Sequence, residues 1–115
     1  VSLPVTIYHN PRCGKSRQTL DLLRQHGVEP VVVEYLKTPP SAAGLAEIVA
    51  KLGTGPRAIV RTKEAAEAGI AGDLPDDALL AALAAHPAAI ERPIVVKGTR
   101  AVIGRPPEAV LALLE

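Results

Sequence analysis

The chain has 115 residues, enough for one domain (residues 1–115) around one buried core, and 48% of them are apolar, so a globular fold is expected. Phe, Trp and Met are absent and the net charge is +1, which removes both the stacking platforms and the electrostatic case for nucleic-acid binding, and with it any pull toward an acidic membrane surface. One cysteine excludes an internal disulfide and a multi-cysteine zinc site, and no apolar run approaches the ~20 residues of a membrane helix.

In chain order, Val1 to Val5 lacks the charged and apolar regions of a signal peptide, so a cytoplasmic location is expected. Val5 to His9, β-branched and aromatic after Pro4, predicts a strand. The turn Asn10-Pro11-Arg12 follows, then a helix over about 13–26 with Leu20 and Leu23 on one face and Gly27 as its stop. A second strand is predicted over 31–36, which makes a βαβ unit with a crossover helix of suitable length. Thr38-Pro39-Pro40-Ser41 breaks the pattern, and Ser41 caps a predicted helix with Leu45, Ile48, Val49 and Leu52 at helical spacing, closed by Gly53. A short helical segment after Pro56 is expected to carry Arg57 and Arg61 one turn apart. Another starts near Pro75, uses Leu79, Leu80 and Leu83, and ends near His86 because Pro87 follows. Ile94 to Lys97 and Arg100 to Ile103 predict a hairpin around Gly98-Thr99, and a last helix from Pro106 should bury Val110, Leu111 and Leu114. The order β-α-β, helical insertion, β-β-α matches a thioredoxin-like α/β fold.

The chemistry concentrates where the first strand meets the first helix. Cys13 stands there against the positive end of the helix dipole and free backbone N–H groups. Both favour thiolate and lower the thiol pKa from about 8.5. His9, Arg12, Lys15 and Arg17 are near in sequence, and the Ser16 hydroxyl is expected to donate to the sulfur. A buried, inert cysteine is the plain alternative, but Pro11-Arg12-Cys13-Gly14-Lys15 is a polar turn and not a core sequence. The same junction suits a tetrahedral oxyanion. Serine occupies position 16, where a Cys-x-x-Cys motif would have its resolving thiol, so any sulfur intermediate on Cys13 must be resolved by a thiol from outside the chain.

These residues resemble a family. His9-Asn10-Pro11-Arg12-Cys13-Gly14-Lys15-Ser16-Arg17 looks like the nucleophile loop of the glutaredoxin-linked arsenate reductases of the arsenate reductase/Spx superfamily. Tyr35 to Pro40, Arg57 to Arg61, Arg92 to Val96 and Gly104-Arg105-Pro106 extend the match nearly end to end. The resemblance implies that Cys13 is the nucleophile forming a thiol–arsenate adduct and that Arg61, Arg92 and Arg105 hold the oxyanion. It also implies that Pro93 is the cis-proline beside the site, and that His9 and Ser16 tune the cysteine. The implied partners are arsenate, glutathione as co-substrate and a glutaredoxin, with no bound cofactor or metal, no nucleic acid or membrane, and a monomeric protein.

Each role has a plainer alternative in the residues themselves. Arg61 can pair with Glu64 or Glu67, Arg92 and Arg105 can be solvated arginines before prolines, and His9 can be a structural hydrogen-bond donor. His26 and His86 read as helix caps, and Arg12, Lys15 and Arg17 as solvated charges or contacts for glutathione or glutaredoxin. Residues 63–72 are poorer in aromatics than the family leads one to expect. Three functions compete: arsenate reduction, reduction of another substrate such as a glutathione mixed disulfide, and Spx-type regulation of RNA polymerase. Ser16 in place of a second cysteine argues against the last, and three arginines favour the first over the second.

Overall fold

A four-stranded mixed sheet in the order β2-β1-β3-β4 organises the computed structural model, which describes residues 3–114. Val1, Ser2 and Glu115, the ends of the expected 1–115 domain, lie outside the described residues. β1 (Val5–His9) runs parallel to β2 (Val31–Glu34), joined by α1 (Gly14–Gln25) as the crossover helix. β3 (Ile94–Lys97) pairs antiparallel with β1 on its other side, and β4 (Arg100–Ile103) closes the hairpin with Gly98 at φ 62°. Between the two halves lie α2 (Ala42–Leu52), α3 (Thr62–Glu67) and α4 (Asp76–Ala85), with 3₁₀ turns at Pro56–Ile59 and Pro87–Ala89. This is the thioredoxin-like order expected from the sequence.

Strand alternation divides the core between the two faces of the sheet. Val5, Ile7 and Val95 pack with Leu23 of α1 and with Val110 and Leu113 on one face. Ile94 packs with Leu45, Ile48, Leu79 and Leu83 of α2 and α4, and with Tyr35 and Ile59, on the other. The local signals for α2 act as read: Ser41 Oγ accepts from the Gly44 N–H at 3.0 Å, and Gly53 ends the helix at φ 74°.

Three expectations need correction. The second strand stops at Glu34 rather than at residue 36, because the Glu34 carbonyl accepts from Lys37 and Thr38 N–H in a turn that drops Tyr35 into the core. Arg57 and Arg61 do not share a helix face. The 3₁₀ turn ends at Ile59, Val60 extends to bridge Ile90, and Arg61 is the N-cap of α3. Arg57 instead bonds the carbonyls of Gly72 and Leu74. The last helix is a 3₁₀ segment, Pro107–Leu114, which buries Pro107, Val110 and Leu113 at a spacing of three, so Leu113 takes the buried position expected of Leu111, while Leu114 packs partly buried against the same cluster.

Candidate active site

Cys13 is the N-cap of α1, partly exposed at the end of the Asn10–Arg12 turn. The turn is tied locally: Asn10 O accepts from the Cys13 N–H at 3.0 Å, and Asn10 Oδ1 accepts from the Arg12 N–H at 3.0 Å. Burial opposes ionisation of the thiol. The Ser16 N–H, the Arg92 guanidinium and the Lys15 N–H together outweigh it and hold the thiol below its usual range. The thiolate is thus favoured by the open end of the helix and by Arg92, from a distant loop.

Ser16 departs from its expected role. Its side chain is fully buried, and Oγ accepts from the Asn10 N–H at 3.0 Å and lies 2.6 Å from His9 Nδ1. Burial lowers the His9 pKa, with Arg24 and Arg17 acting in the same direction against Glu34, so the ring is held neutral. The arrangement that satisfies both groups has the hydroxyl donating to Nδ1 and the ring proton on Nε2. The hydroxyl therefore braces β1 against the loop, and the serine reaches the sulfur through its backbone N–H.

Arg92 and Arg105 reach Cys13, and Arg61 joins them through Glu91. Arg105 Nη2 stands 3.4 Å from Cys13 Sγ, while Arg105 Nε donates to the Arg92 carbonyl at 2.8 Å and lies 3.0 Å from Glu91 Oε1. Arg92 presents its guanidinium to the same sulfur, and its own Nε is buried without a partner. Arg61 donates through Nη1 to Glu91 Oε1 at 2.9 Å. Its Nε lies 3.3 Å from Glu64 Oε1, an ion pair without hydrogen-bond alignment. The plainer alternative for Arg61 is thus half right: it pairs with Glu64, and also with a carboxylate from another loop.

Backbone packing makes this convergence. Arg61 N–H donates to Ala89 O at 2.8 Å and Glu91 N–H to Ile59 O at 2.7 Å, flanking the Val60–Ile90 bridge, so Arg61 and Glu91 emerge side by side. The Arg92–Pro93 and Arg105–Pro106 peptide bonds are cis. Gly104 sits where a Cβ would come within 2.6 Å of Thr19 Oγ1 and 2.8 Å of Pro93 Cγ, so only glycine lets the Arg105 loop close on Pro93 and α1.

Two residues of this site escaped the sequence reading. Glu91 is one; its only local signal is a carboxylate directly before Arg92-Pro93. Tyr35 is the other. Its buried hydroxyl has no aligned hydrogen-bond partner, and burial pushes its pKa up, against the pull of Arg92, Asn10 and Arg61, so it stays a donor. Arg12 and Lys15 are exposed, and Arg17 donates to the Pro11 carbonyl at 2.9 Å. His26 and His86 stand at the C-caps of α1 and α4. Among the described residues no three His, Cys, Asp or Glu side chains cluster as a metal site would require, and no helix is long and apolar enough to cross a membrane.

Residues 8–113 match the model of the ArsC family. An uncharacterized protein of Escherichia coli strain K12, YfgD, is 49% identical, with 96% of each chain covered. An arsenate reductase of Neisseria meningitidis serogroup B is 45% identical over 96% of this chain and 97% of its own. The solved structure of an arsenate reductase from Vibrio cholerae superposes with a TM-score of 0.90 at 47% identity, covering 97% of this chain and 98% of that one.

Proposed function

This chain belongs to the ArsC family, and on that premise we propose that it reduces arsenate to arsenite through a covalent adduct on Cys13. The observation that carries the reading is the set of donors around the sulfur, two of them unsatisfied. Arg92 Nε and the Tyr35 hydroxyl are buried without aligned partners, and Arg105 Nη2 faces Sγ directly. Buried donors left unpaired are costly unless a ligand meets them, and these, set among three guanidinium groups, suit a tetrahedral oxyanion.

In this reading the Cys13 thiolate attacks arsenic, and one arsenate oxygen leaves as water after protonation. Arg61, Arg92 and Arg105 offset the repulsion between a thiolate and a dianion, which would otherwise cost several kcal/mol in a partly desolvated site. Two thiols from outside the chain then supply the two electrons that take arsenic from As(V) to As(III). They end as a disulfide, and water then cleaves the Cys13 S–As(III) bond, releasing arsenite and returning the free thiol. Glutathione is the co-substrate and a glutaredoxin the partner that completes the reduction, because the chain holds no second thiol. No bound cofactor or metal is needed. The biological setting is arsenic detoxification by a monomeric protein in the cytoplasm, where reduced glutathione is available.

The test is a substrate comparison. NADPH consumption is followed with glutathione, glutaredoxin and glutathione reductase present and either arsenate or a glutathione mixed disulfide added, and the rate without this protein, to which glutaredoxin itself contributes, is subtracted. Arsenate-dependent consumption well above the disulfide rate supports the reading. Turnover of the disulfide alone overturns it in favour of a general thiol–disulfide reductase.

A further inference from the structure

One oxygen of Glu91 collects donors from every arm of the cradle. Oε1 accepts from Arg61 Nη1 at 2.9 Å and from the Arg92 backbone N–H at 3.1 Å, and it lies 3.0 Å from Arg105 Nε. The edges involved matter. A guanidinium is planar and rigid, so fixing one edge sets the direction of the other. Arg105 gives its Nε edge to Glu91 and the Arg92 carbonyl, and its far nitrogen Nη2 is the one that faces Cys13 Sγ. Arg61 gives Nη1 to Glu91 and turns Nε to Glu64, which leaves Nη2 uncommitted. Glu91 is itself seated by its N–H bond to Ile59 O, and its side chain is only 23% exposed.

We infer that Glu91 is a positioning residue of the anion cradle. Its carboxylate holds the rear edges of Arg61 and Arg105 and the root of Arg92, so that their free N–H groups face Cys13 before substrate arrives. This rests on the oxyanion reading of the site. Glu91 touches no reacting atom and acts through the arginines.

The experiment measures protection of Cys13 against iodoacetamide by inorganic phosphate, at a pH where the thiolate is fully formed, together with the arsenate KM and the thiolate titration. Glu91→Gln and Glu91→Ala both remove the charge, but only Gln keeps an acceptor oxygen in place. Their difference therefore reads positioning alone. Half-protection in Glu91→Ala should need about tenfold more phosphate than in Glu91→Gln, with a parallel rise in arsenate KM. In Glu91→Gln the thiol midpoint should fall below wild type, because Arg105 loses its counter-charge beside the sulfur. Equal protection and equal KM in the two variants overturn the inference, even where the melting temperature drops. If Glu91→Ala does not fold, Glu91→Asp replaces it, compared with wild type; it keeps the charge and withdraws the oxygen by one methylene. The same tenfold weakening is expected, and equality overturns the inference. Absence of phosphate protection in wild type also overturns it. Protection of wild type without arsenate turnover removes the substrate assignment and leaves the positioning role standing.

Discussion

Replacing Arg105 by alanine separates the two tasks given to the arginines, stabilising the thiolate and binding the oxyanion. Nη2 of Arg105 is 3.4 Å from Cys13 Sγ. A full charge pair at that distance is worth ~5 kcal/mol at an effective dielectric constant near 20 and ~1 kcal/mol in water. The Arg105 side chain is 32% exposed, and its charge is shared with Glu91 at 3.0 Å, so the lower value applies. Arg105→Ala should therefore raise the thiolate midpoint, read from thiolate absorbance against pH. The loss of one charged donor to the oxyanion should lower kcat/KM for arsenate by about 100-fold. Alkylation by a neutral reagent at a pH where the thiolate is complete should barely change, because that reaction has no anion to hold. An unchanged midpoint together with an unchanged kcat/KM refutes the reasoning.

Other consequences are simpler to read. Gly104→Ala places a methyl group against Thr19 Oγ1 and Pro93 Cγ; it should cost about 1–3 kcal/mol in urea denaturation and lower arsenate turnover by moving Arg105. His9 is held neutral in the fold, while the unfolded chain protonates it near pH ~6.5. Stability should accordingly be present above that pH and decline as pH falls through 6.5 toward the depressed folded value. His9→Gln should show a smaller loss between about pH 7.5 and 5.5, and an identical loss in both proteins contradicts a buried neutral ring.

Local chemistry made much of this molecule legible. Val5 to His9, the Gly27 stop, the Ser41 cap and the Gly98 turn each act within a few residues of themselves, and each is found where the residues indicate. Cys13 at a helix start is local in the same sense. What escaped depends on distant partners or on competing geometries. Tyr35 suits a strand, but the Glu34 carbonyl captures the next turn and the ring goes inward. The apolar residues of 107–114 fit a period of three as well as 3.6, and packing against β4 and α1 selects three. The Val60–Ile90 bridge joins segments thirty residues apart, and without it nothing in the chain announces that Glu91 meets Arg61. Ser16 lies beside the cysteine, yet its hydroxyl finds a buried imidazole instead of the sulfur. The arginine cradle was legible only through the family resemblance, since each arginine alone reads as solvated charge.

The most direct measurement is arsenate-dependent NADPH oxidation, with glutathione, glutaredoxin and glutathione reductase in excess, by wild type and by Cys13→Ser side by side. Cys13 is partly exposed and contributes nothing to either buried cluster, so the serine variant should keep wild-type circular dichroism and a similar melting temperature. Wild type should turn over and the variant should not, because no other sulfur in the chain can take arsenic. Turnover by Cys13→Ser above a few per cent of wild type, or none by wild type, would contradict covalent reduction at Cys13.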